Sequence, residues 1–499
     1  MAKTLQWGGR FTEEPDAALV AFGSSLDDDL VLASFDVRTS QAHVSALATG
    51  KIIDATTERA LRKALAQVKD EIDAGDFAAF ARAGVEDIHG AIDARVRELC
   101  PNGEGEWLHA GRSRNDQVAT TLLLYGRARA EEGQAAALEV VRELTERAKE
   151  ELGAGTLLCA TTHWQPAQPA LLAFWLIAAA EGFARAAKRF SVARDATRES
   201  CPLGSGAVAG STLPLDRETP ARELGFAAPS RNAMDAIGNR DAILDVAHAF
   251  VRAAIDASRI AAELVIWCTP AFGYANLGDA ASTGSSLMPQ KRNPDPFELV
   301  RATAAELTGT YAGALATLCG LPLSYHRDLQ QTKRLAIATI EHGHATLRAF
   351  ARALAGVQFD RDRMNALAAD GYAVATDIAD ALILSGISAR RAHEMVGRAV
   401  ARAEREHRPL CEEDLHELAS EAGVRTLDAP LDARSSVNAK CTIGSTSPTE
   451  VRKSLSSLAI ERSHLSSLSI ERNPGLSSRA SARKSAHDVE GSASRHMRE

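Results

Sequence analysis

The stretch DVAHAFVRAAIDASRIAAELVIWC, from Asp245 to Cys268, indicates the fold class most directly. Its charged residues recur at spacings of seven, four, three and four, which places them on one face of an α-helix: Asp245, Arg252, Asp256, Arg259 and Glu263. Val251, Ile255 and Leu264 lie elsewhere on this helix and can face a core. The pattern therefore predicts a long amphipathic helix.

A second stretch, Gln168 to Ala180, is apolar all round after a polar start. A helix without a polar face must be surrounded by other helices. Alanine, leucine, arginine and glutamate dominate the chain, and these residues favour helix. We therefore predict an all-α fold of three helical domains with a central long-helix bundle. The expected bounds are 1–110, 111–363 and 364–455.

Residues 456–499 differ from the rest of the chain. LSSLAIERSH, from Leu455 to His464, is nearly repeated by LSSLSIERNP, from Leu465 to Pro474, and serine and arginine continue to the end. Two copies of a ten-residue repeat cannot bury a core. We therefore expect a Ser/Arg-rich disordered tail.

Charge and composition exclude several classes of protein. The 499 residues contain 57 Lys plus Arg and 65 Asp plus Glu, a net charge of -8, without a basic stripe, so no nucleic-acid partner is expected. The N-terminus MAKTLQWGGR carries no apolar segment, and the apolar run from Ala170 to Ala180 is shorter than the roughly 20 residues of a membrane-spanning helix. We expect a cytoplasmic protein without membrane contact.

The seven cysteines are odd in number, widely spaced and without a C-x-x-C pair. This argues against a disulfide framework and a zinc site, and it favours reduced, mostly buried thiols. No cluster of metal ligands stands out; His342 and His344 are two residues apart and lie on different faces of any helix. Neither a metal nor a cofactor is expected.

The strongest chemical signal is TGSSLMPQKRNPDPFE, from Thr283 to Glu298. Gly284 and three prolines, Pro289, Pro294 and Pro296, interrupt any helix, so a long loop is predicted. The stretch carries hydroxyls, a lysine, an asparagine and a carboxylate. A solvated connector would rarely hold so many groups capable of acid–base chemistry and anion binding, so we interpret it as functional.

The glycines of GSGAVAG, Gly204, Gly206 and Gly210, superficially suggest a dinucleotide-binding loop. Such a loop must follow a β-strand, whereas Ala184 to Glu199 reads as a charged helix. No nucleotide is therefore implied.

GSSLMPQKRNPD resembles the signature loop of the fumarase/aspartase superfamily. Gln290 and Asp295 resemble the argininosuccinate lyase branch in particular. The resemblance extends from Trp7 to about Val451 through a series of motifs in family order. The motifs are WGGRF at 7–11, EDIH at 86–89, GRSRNDQVAT at 111–120, THWQPAQP at 162–169, PLGSGAVAG at 202–210, DRE at 216–218, YHRDLQQTK at 325–333 and SSVNAKCTIGST at 435–446, the last of which matches the family only in part.

The resemblance implies a reaction and the residues that perform it. Elimination of fumarate from an N-substituted aspartate needs a base, an acid and donors for a dianionic aci-carboxylate. By resemblance, Ser285 is the base, and loop amides with Lys291 stabilise its alkoxide. Lys291 and Asn293 hold the carboxylate that gains charge. His163 is the general acid, or positions one through water, and Glu298 orients and polarises it.

The resemblance also implies substrate ligands. Ser113, Arg114, Asn115 and Thr162 lie in its motifs, Ser40 lies in an S-x-A-H stretch ending at His43, and Tyr325, Gln330 and Lys333 match positions that hold the substrate's amino-acid ends. Without the resemblance, a lone histidine is more often a structural residue, and Arg112, Arg114 and Asp116 could be ordinary ion-paired residues.

Several positions depart from the family pattern. They are Ala110, Ala160-Thr161, Ala233, His326, Gln331 and Thr332. The resemblance implies that the substrate is argininosuccinate and that the products are fumarate and L-arginine. The departures leave the expected reaction intact, but they weaken the identification of this substrate. A paralogous lyase acting on another N-substituted aspartate is the first alternative, and a non-catalytic structural homologue is the last. The resemblance further implies a homotetramer whose subunits share active sites.

Overall fold

The computed structural model describes residues 16–76, 85–369 and 372–471, so the WGGRF match at 7–11 lies outside the described residues. Helices dominate the described chain, which confirms the predicted all-α class. The helices are α1 Ala17–Gly23, α2 Leu26–Asp29, α3 Ala33–Thr49, α4 Ala55–Asp73, α5 Ile88–Leu99, α6 Arg114–Ala154, α7 Leu172–Ala196, α8 Glu218–Glu223, α9 Ala233–Gly238, α10 Asp241–Trp267, α11 Asp295–Ala316, α12 Leu329–Ala355, α13 Arg361–Ala369, α14 Ala375–Leu384, α15 Ala389–Arg405, α16 Glu412–Ala422, α17 Ala433–Ala439 and α18 Pro448–Glu471.

Short strands pair two by two between these helices. The strands are β1 Leu157–Thr162, β2 Gln165–Leu171, β3 Ser200–Cys201, β4 Ala228–Pro229, β5 Ala275–Leu277 and β6 Val357–Phe359. β1 pairs antiparallel with β2, β3 pairs parallel with β4, and β5 pairs antiparallel with β6. Within the described ranges, no helix is both long and apolar enough to cross a bilayer.

The chain divides into two compact units, each built from three stretches. The first unit contains Met1–Gln134, Lys188–Ala254 and Thr303–Thr346, and the second contains Ala135–Ala187, Ile255–Ala302 and Leu347–Glu499. The long helices α6, α7, α10, α11 and α12 each contribute residues to both units. The three sequential domains expected from the sequence remain a proposal.

The helix expected around Asp245 extends from Asp241 to Trp267. Val251 and Leu264 are buried, Ile255 is half-buried, and Asp245 and Arg259 are exposed. The face predicted from the charge spacing is exposed at these two residues, whereas Arg252, Asp256 and Glu263 are half-buried.

A buried polar network in the first unit fixes the beginning of α6 against α3 and α5. The carboxylate of Asp36 lies 2.7 Å from Nδ1 of His89 and accepts a hydrogen bond from Nε2 of Gln117 at 2.8 Å. Burial by itself would raise the pKa of Asp36, but His89 and further partners lower it to about 2. Asp36 is therefore a buried anion that joins three helices.

The second unit holds the β1–β2 hairpin. At its base, the amide of Leu157 donates to Oδ1 of Asn365 and the amide of Leu171 donates to Oγ1 of Thr446, both at 2.8 Å. In the same unit, the rings of Trp175 and Trp267 lie 4.5 Å apart. The two hydrogen bonds anchor the base of the hairpin, whereas its tip is exposed.

The helix expected from Gln168 begins later, at Leu172, because Gln165–Leu171 is a strand. Pro166 and Pro169 explain the difference, since proline lacks the amide hydrogen that a helix interior requires. His163 consequently lies at the tip of a hairpin and not at the start of a helix.

The expectation of disorder from residue 456 onward is wrong for 456–471, which continue α18 to Glu471. Leu455, Leu458 and Leu465 are buried, and their spacings of three and seven place them on one helical face. This apolar face supplies the burial that the repeat was expected to lack. Residues 472–499 lie outside the described residues.

All seven cysteines lie in the described ranges, and none of them forms a disulfide bond. Cys100, Cys159 and Cys201 are buried, whereas Cys319 and Cys441 are exposed. Fewer of the thiols are buried than the sequence analysis predicted.

Candidate active site

The Ser285 hydroxyl is held by the backbone of its own loop. Its Oγ accepts hydrogen bonds from the amides of Leu287 at 3.2 Å and Met288 at 3.0 Å. Two amide donors directed at one oxygen stabilise negative charge that develops there. This arrangement suits a serine that must act as an alkoxide.

The base of the loop is closed by a pair of backbone hydrogen bonds between Thr283 and Asn293, at 3.2 and 2.9 Å. Nδ2 of Asn293 also reaches the carbonyl of Gly284 at 3.4 Å. Ser285, Lys291 and Asn293 therefore lie on one closed loop. The side chain of Lys291 is exposed to solvent.

Glu298 lies in the first turn of α11, not in the loop as the sequence suggested. Pro296 falls within this first turn, where its missing amide hydrogen has no intrahelical partner to lose. The side chain of Glu298 is exposed.

His163 and Trp164 form the two-residue turn of the hairpin between Thr162 and Gln165, and their φ angles are 54° and 61°. Positive φ at both central residues defines a type I′ turn, which usually carries Asn-Gly. Left-handed backbone is costly for a residue as bulky as tryptophan, and such strain concentrates at functional sites. The turn presents the imidazole of His163 to solvent.

Within the described part of the second unit, no hydrogen bond or ion pair joins His163 to Ser285 or Glu298. Thr162 is exposed beside His163 at the end of β1. The carboxylate–imidazole pair inferred from the sequence therefore stays a prediction.

A cavity of about 240 Å³ in the first unit brings together five of the inferred substrate ligands. They are Arg114, Asn115, Tyr325, Gln330 and Lys333. The remaining walls are formed by Ser25, Val85, Glu86, Asp87, Gly90, Val118, Arg240, Arg327 and Leu329. The cavity is therefore rich in groups that can bind a charged, polar ligand.

Three cations of this cavity are paired with carboxylates. Lys333 Nζ lies 2.5 Å from Asp29, whose other oxygen accepts from Ser25 at 2.7 Å. Arg114 lies 3.1 Å from Asp87, and Arg327 lies 2.5 Å from Glu86. Burial opposes ionisation of Asp87, but Arg114 and neighbouring cations hold its pKa below the ordinary value.

Asp116 organises the residues before α6. Its Oδ1 accepts from the amide of Ser113 at 3.0 Å, and its Oδ2 accepts from the amides of Gly204 and Gly206 at 2.9 and 2.8 Å. Burial raises the pKa of Asp116 to about 6, against the effect of these amides. The glycine-rich loop thus surrounds a carboxylate of the protein itself.

Asn115 bridges the same two segments, because its Nδ2 donates to the carbonyl of Ala207 at 2.9 Å and its amide donates to Ser113 Oγ at 3.2 Å. Ser40 is different: it is fully buried and accepts from Nη1 of Arg112 at 2.9 Å. Ser40 does not line the cavity.

Sequence reasoning missed Ser25, Asp29, Asp87 and Arg240. Asp87 belongs to the quoted EDIH motif and could have been selected from it. Ser25 and Asp29 lie 308 and 304 positions before Lys333, in a segment with no periodic signal that would connect them.

The Lyase family model matches residues 9–309, and the model of the argininosuccinate lyase C-terminal region matches 372–438. The argininosuccinate lyase of Thermus thermophilus is 40% identical over 90% of this chain and 97% of its own length. That of Anaeromyxobacter dehalogenans is 44% identical over 80% of this chain and 84% of its own length.

The crystal structure of EDDS lyase in complex with formate shares the fold, with a TM-score of 0.77 at 24% identity, over 95% of this chain and 97% of that one. Sequence motifs, identity along most of both chains and fold agree. The chain belongs to the argininosuccinate lyase family of lyases.

Proposed function

We propose that this protein cleaves argininosuccinate reversibly to fumarate and L-arginine, in the cytoplasm, without a cofactor. The observation that carries the proposal is the Ser285 hydroxyl with two amide donors on a loop that also bears Lys291 and Asn293. Membership of the argininosuccinate lyase family supports the substrate.

In the proposed reaction, the Ser285 alkoxide removes a proton from the succinyl carbon next to a carboxylate. The electron pair moves into that carboxylate, which becomes a dianionic aci-carboxylate. Lys291 and Asn293 stabilise it with a charge and a hydrogen bond. The carbon–nitrogen bond then breaks, and His163, oriented by Glu298, protonates the departing guanidino nitrogen.

The cavity of the first unit supports binding of the amino-acid end. Tyr325, Gln330 and Lys333 line it together, and all three were assigned to that end by resemblance. Ser113, Arg114, Asn115 and Thr162 are proposed to bind the succinyl carboxylates. For Ser40 this role remains a prediction, and it would require Arg112 to release the hydroxyl.

The departures from the family pattern lie outside the lining of this cavity. Thr332 is buried and hydrogen-bonds Thr317 at 2.6 Å, Gln331 accepts from Arg334 at 3.0 Å, and His326 lies 3.3 Å from the carbonyl of Leu323. Because the departures do not line the cavity, argininosuccinate is favoured over the other N-substituted aspartate that a paralogous lyase would cleave.

We further propose a homotetramer in which each site takes its motifs from different chains. Ser113 precedes α6, whereas the hairpin with His163 begins three residues after α6 ends. Ser113, His163 and Ser285 lie far apart in the sequence, and the resemblance to the fumarase/aspartase superfamily implies that neighbouring chains each contribute one of these motifs to a site.

The proposal is tested by ultraviolet detection of fumarate from a panel of N-substituted aspartates, with the full-length protein. Argininosuccinate should be the preferred substrate, and L-arginine should form in equal amount. Preference for another substituted aspartate would identify the paralogous lyase. Lack of fumarate from every substrate, in a protein that folds, would contradict both readings.

A further inference from the structure

Arg240 is a buried cation on the wall of the cavity in the first unit. It directly precedes α10, its side chain is 4% exposed, and it lines the cavity together with Tyr325, Gln330 and Lys333. A guanidinium removed from water is strongly destabilised unless an anion or several acceptors compensate it. The partners of Arg240 therefore decide its role.

Within the part of the chain that the structure describes, the hydrogen-bond partners of Arg240 are two backbone carbonyls. Nη1 donates to Ile237 at 3.1 Å and to Asn239 at 2.7 Å. Nε is enclosed without an acceptor, and Nη2 has no hydrogen bond to any part of the chain that the structure describes. Burial lowers the pKa of Arg240 to about 10, so the group still carries its charge at neutral pH.

The other cations of the cavity differ from Arg240 because each of them has a carboxylate partner. Lys333, Arg114 and Arg327 each face a carboxylate, whereas no ion pair to Arg240 occurs among the described residues. Among the cations that line the described cavity, Arg240 is thus the one without a carboxylate partner in the described ranges. Because Nη2 has no acceptor among the described residues, this guanidinium can still donate a charge-assisted hydrogen bond to a carboxylate.

We infer that Arg240 binds the carboxylate of the amino-acid end of the ligand. This inference rests on the proposed function and deepens it, because it assigns a specificity role to a residue that neither the sequence motifs nor the family comparison assigns. Tyr325, Gln330 and Lys333 surround the same end of the ligand. Arg240 would then discriminate between amino acids and the corresponding amines.

The test compares L-arginine with agmatine, which has the same guanidino chain but no carboxylate. Affinities of both are measured by titration calorimetry on the full-length protein, for wild type, Arg240→Gln and Arg240→Lys. A charge-assisted hydrogen bond changes affinity by about ten- to a hundredfold, so wild type should prefer L-arginine by about this factor. Arg240→Gln should reduce the preference to nearly one, mainly by weakening L-arginine binding, and Arg240→Lys should retain part of it.

Arg127→Gln is the matched control. Arg127 is also a buried arginine of the first unit with an enclosed Nε, and it donates to the carbonyls of Leu224 and Thr197, but it does not line the cavity. This variant carries a similar structural lesion and should keep the full preference for L-arginine.

Two results would overturn the inference. One is an unchanged L-arginine to agmatine ratio in Arg240→Gln; the other is an equal loss of both ligands, which would show that Arg240 only supports the fold. Fumarate release by wild type is measured in parallel. If wild type cleaves argininosuccinate while either result occurs, only the role of Arg240 fails. If wild type neither cleaves argininosuccinate nor prefers L-arginine to agmatine, both the proposed function and the inferred role of Arg240 fail.

Discussion

The amide nitrogen of Met288 lies 3.0 Å from the hydroxyl oxygen of Ser285, three residues earlier on the same loop. Serine is a poor base because its alkoxide is unstable in water. An amide directed at Oγ, with a second one from Leu287, lowers the energy of that alkoxide before the substrate arrives. The chemistry of the loop therefore depends on backbone geometry as much as on the serine itself.

Ser285→Ala should abolish most activity without affecting the fold. Removal of a catalytic base typically lowers turnover by about 10² to 10⁴-fold. Fumarate release is measured together with the melting temperature, and Ser286→Ala, an exposed neighbour, is the control. Turnover of Ser285→Ala within a few-fold of wild type would remove Ser285 from the mechanism.

Lys333→Met should destabilise the protein strongly. Lys333 and Asp29 are 5% and 0% exposed, and removal of one partner leaves an uncompensated buried charge, which costs about 3–5 kcal/mol. The double variant Asp29→Asn/Lys333→Met should recover much of this loss in denaturant unfolding. Lys69→Met, which breaks an exposed pair with Asp73, should change stability little. If the double variant is as unstable as the single one, the two residues do not compensate each other.

The pKa of Asp116 predicts a pH-dependent contribution to stability. Because the folded pKa, about 6, exceeds the ordinary value of 3.8, the folded protein binds this proton more tightly than the unfolded chain. The resulting stability is fully present below pH 3.8 and is lost as the pH rises through about 6. Each pKa unit corresponds to about 1.4 kcal/mol.

Thermal unfolding of wild type and Asp116→Asn at several pH values measures the pH-dependent stability that Asp116 contributes. The advantage of wild type over the variant should shrink as the pH rises from about 4 to about 6.5. Asp235→Asn, at an exposed site of the same unit, should differ from wild type by a constant amount. An advantage that grows with pH would show that the amides of Ser113, Gly204 and Gly206 outweigh burial.

The extended C-terminal helix is tested by single substitutions. Leu458 and Leu465 are 1% and 5% exposed, whereas Ile460 is 72% exposed. Leu458→Ala and Leu465→Ala should each cost about 2–5 kcal/mol, and Ile460→Ala should have little effect. If Leu465→Ala melts like wild type, the helix contributes no stability at that position.

Helical periodicity was sufficient to identify α10, because charge spacing reports directly on helix geometry. It failed at the β1–β2 hairpin, where His163 and Trp164 occupy a turn that usually requires Asn-Gly. It also failed at α18, whose three buried leucines were hidden in a serine-rich repeat. Local sequence patterns do not show which distant segments of the chain pack against a helix and bury its apolar face.

The candidate site was only partly accessible to sequence reasoning. Arg114, Asn115, Tyr325, Gln330 and Lys333 were identified by resemblance, and the structure places all five around one cavity. Arg240 was missed because a sequence does not show which cations become buried in the folded chain, or which of them face a carboxylate. Asp29 was missed because its pairing with Lys333 arises only in the folded chain.

We expect the His163 and the Ser285 of one active site to come from two different subunits. His163 and Ser285 lie on separate exposed segments of the second unit, and no hydrogen bond of the described chain joins them. If each site takes them from two different chains, two inactive variants can repair each other. His163→Asn supplies an intact Ser285, and Ser285→Ala supplies an intact His163.

The two variants are unfolded, mixed in equal amounts and refolded. Each site then receives an intact His163 with a chance of one half and an intact Ser285 with the same chance, so about a quarter of wild-type activity should return. Each variant refolded alone is the control, and size-exclusion chromatography with distinct tags confirms that mixed oligomers form. Mixed oligomers that stay as inactive as their parents would show that both residues of a site belong to the same chain, since such sites always retain one lesion.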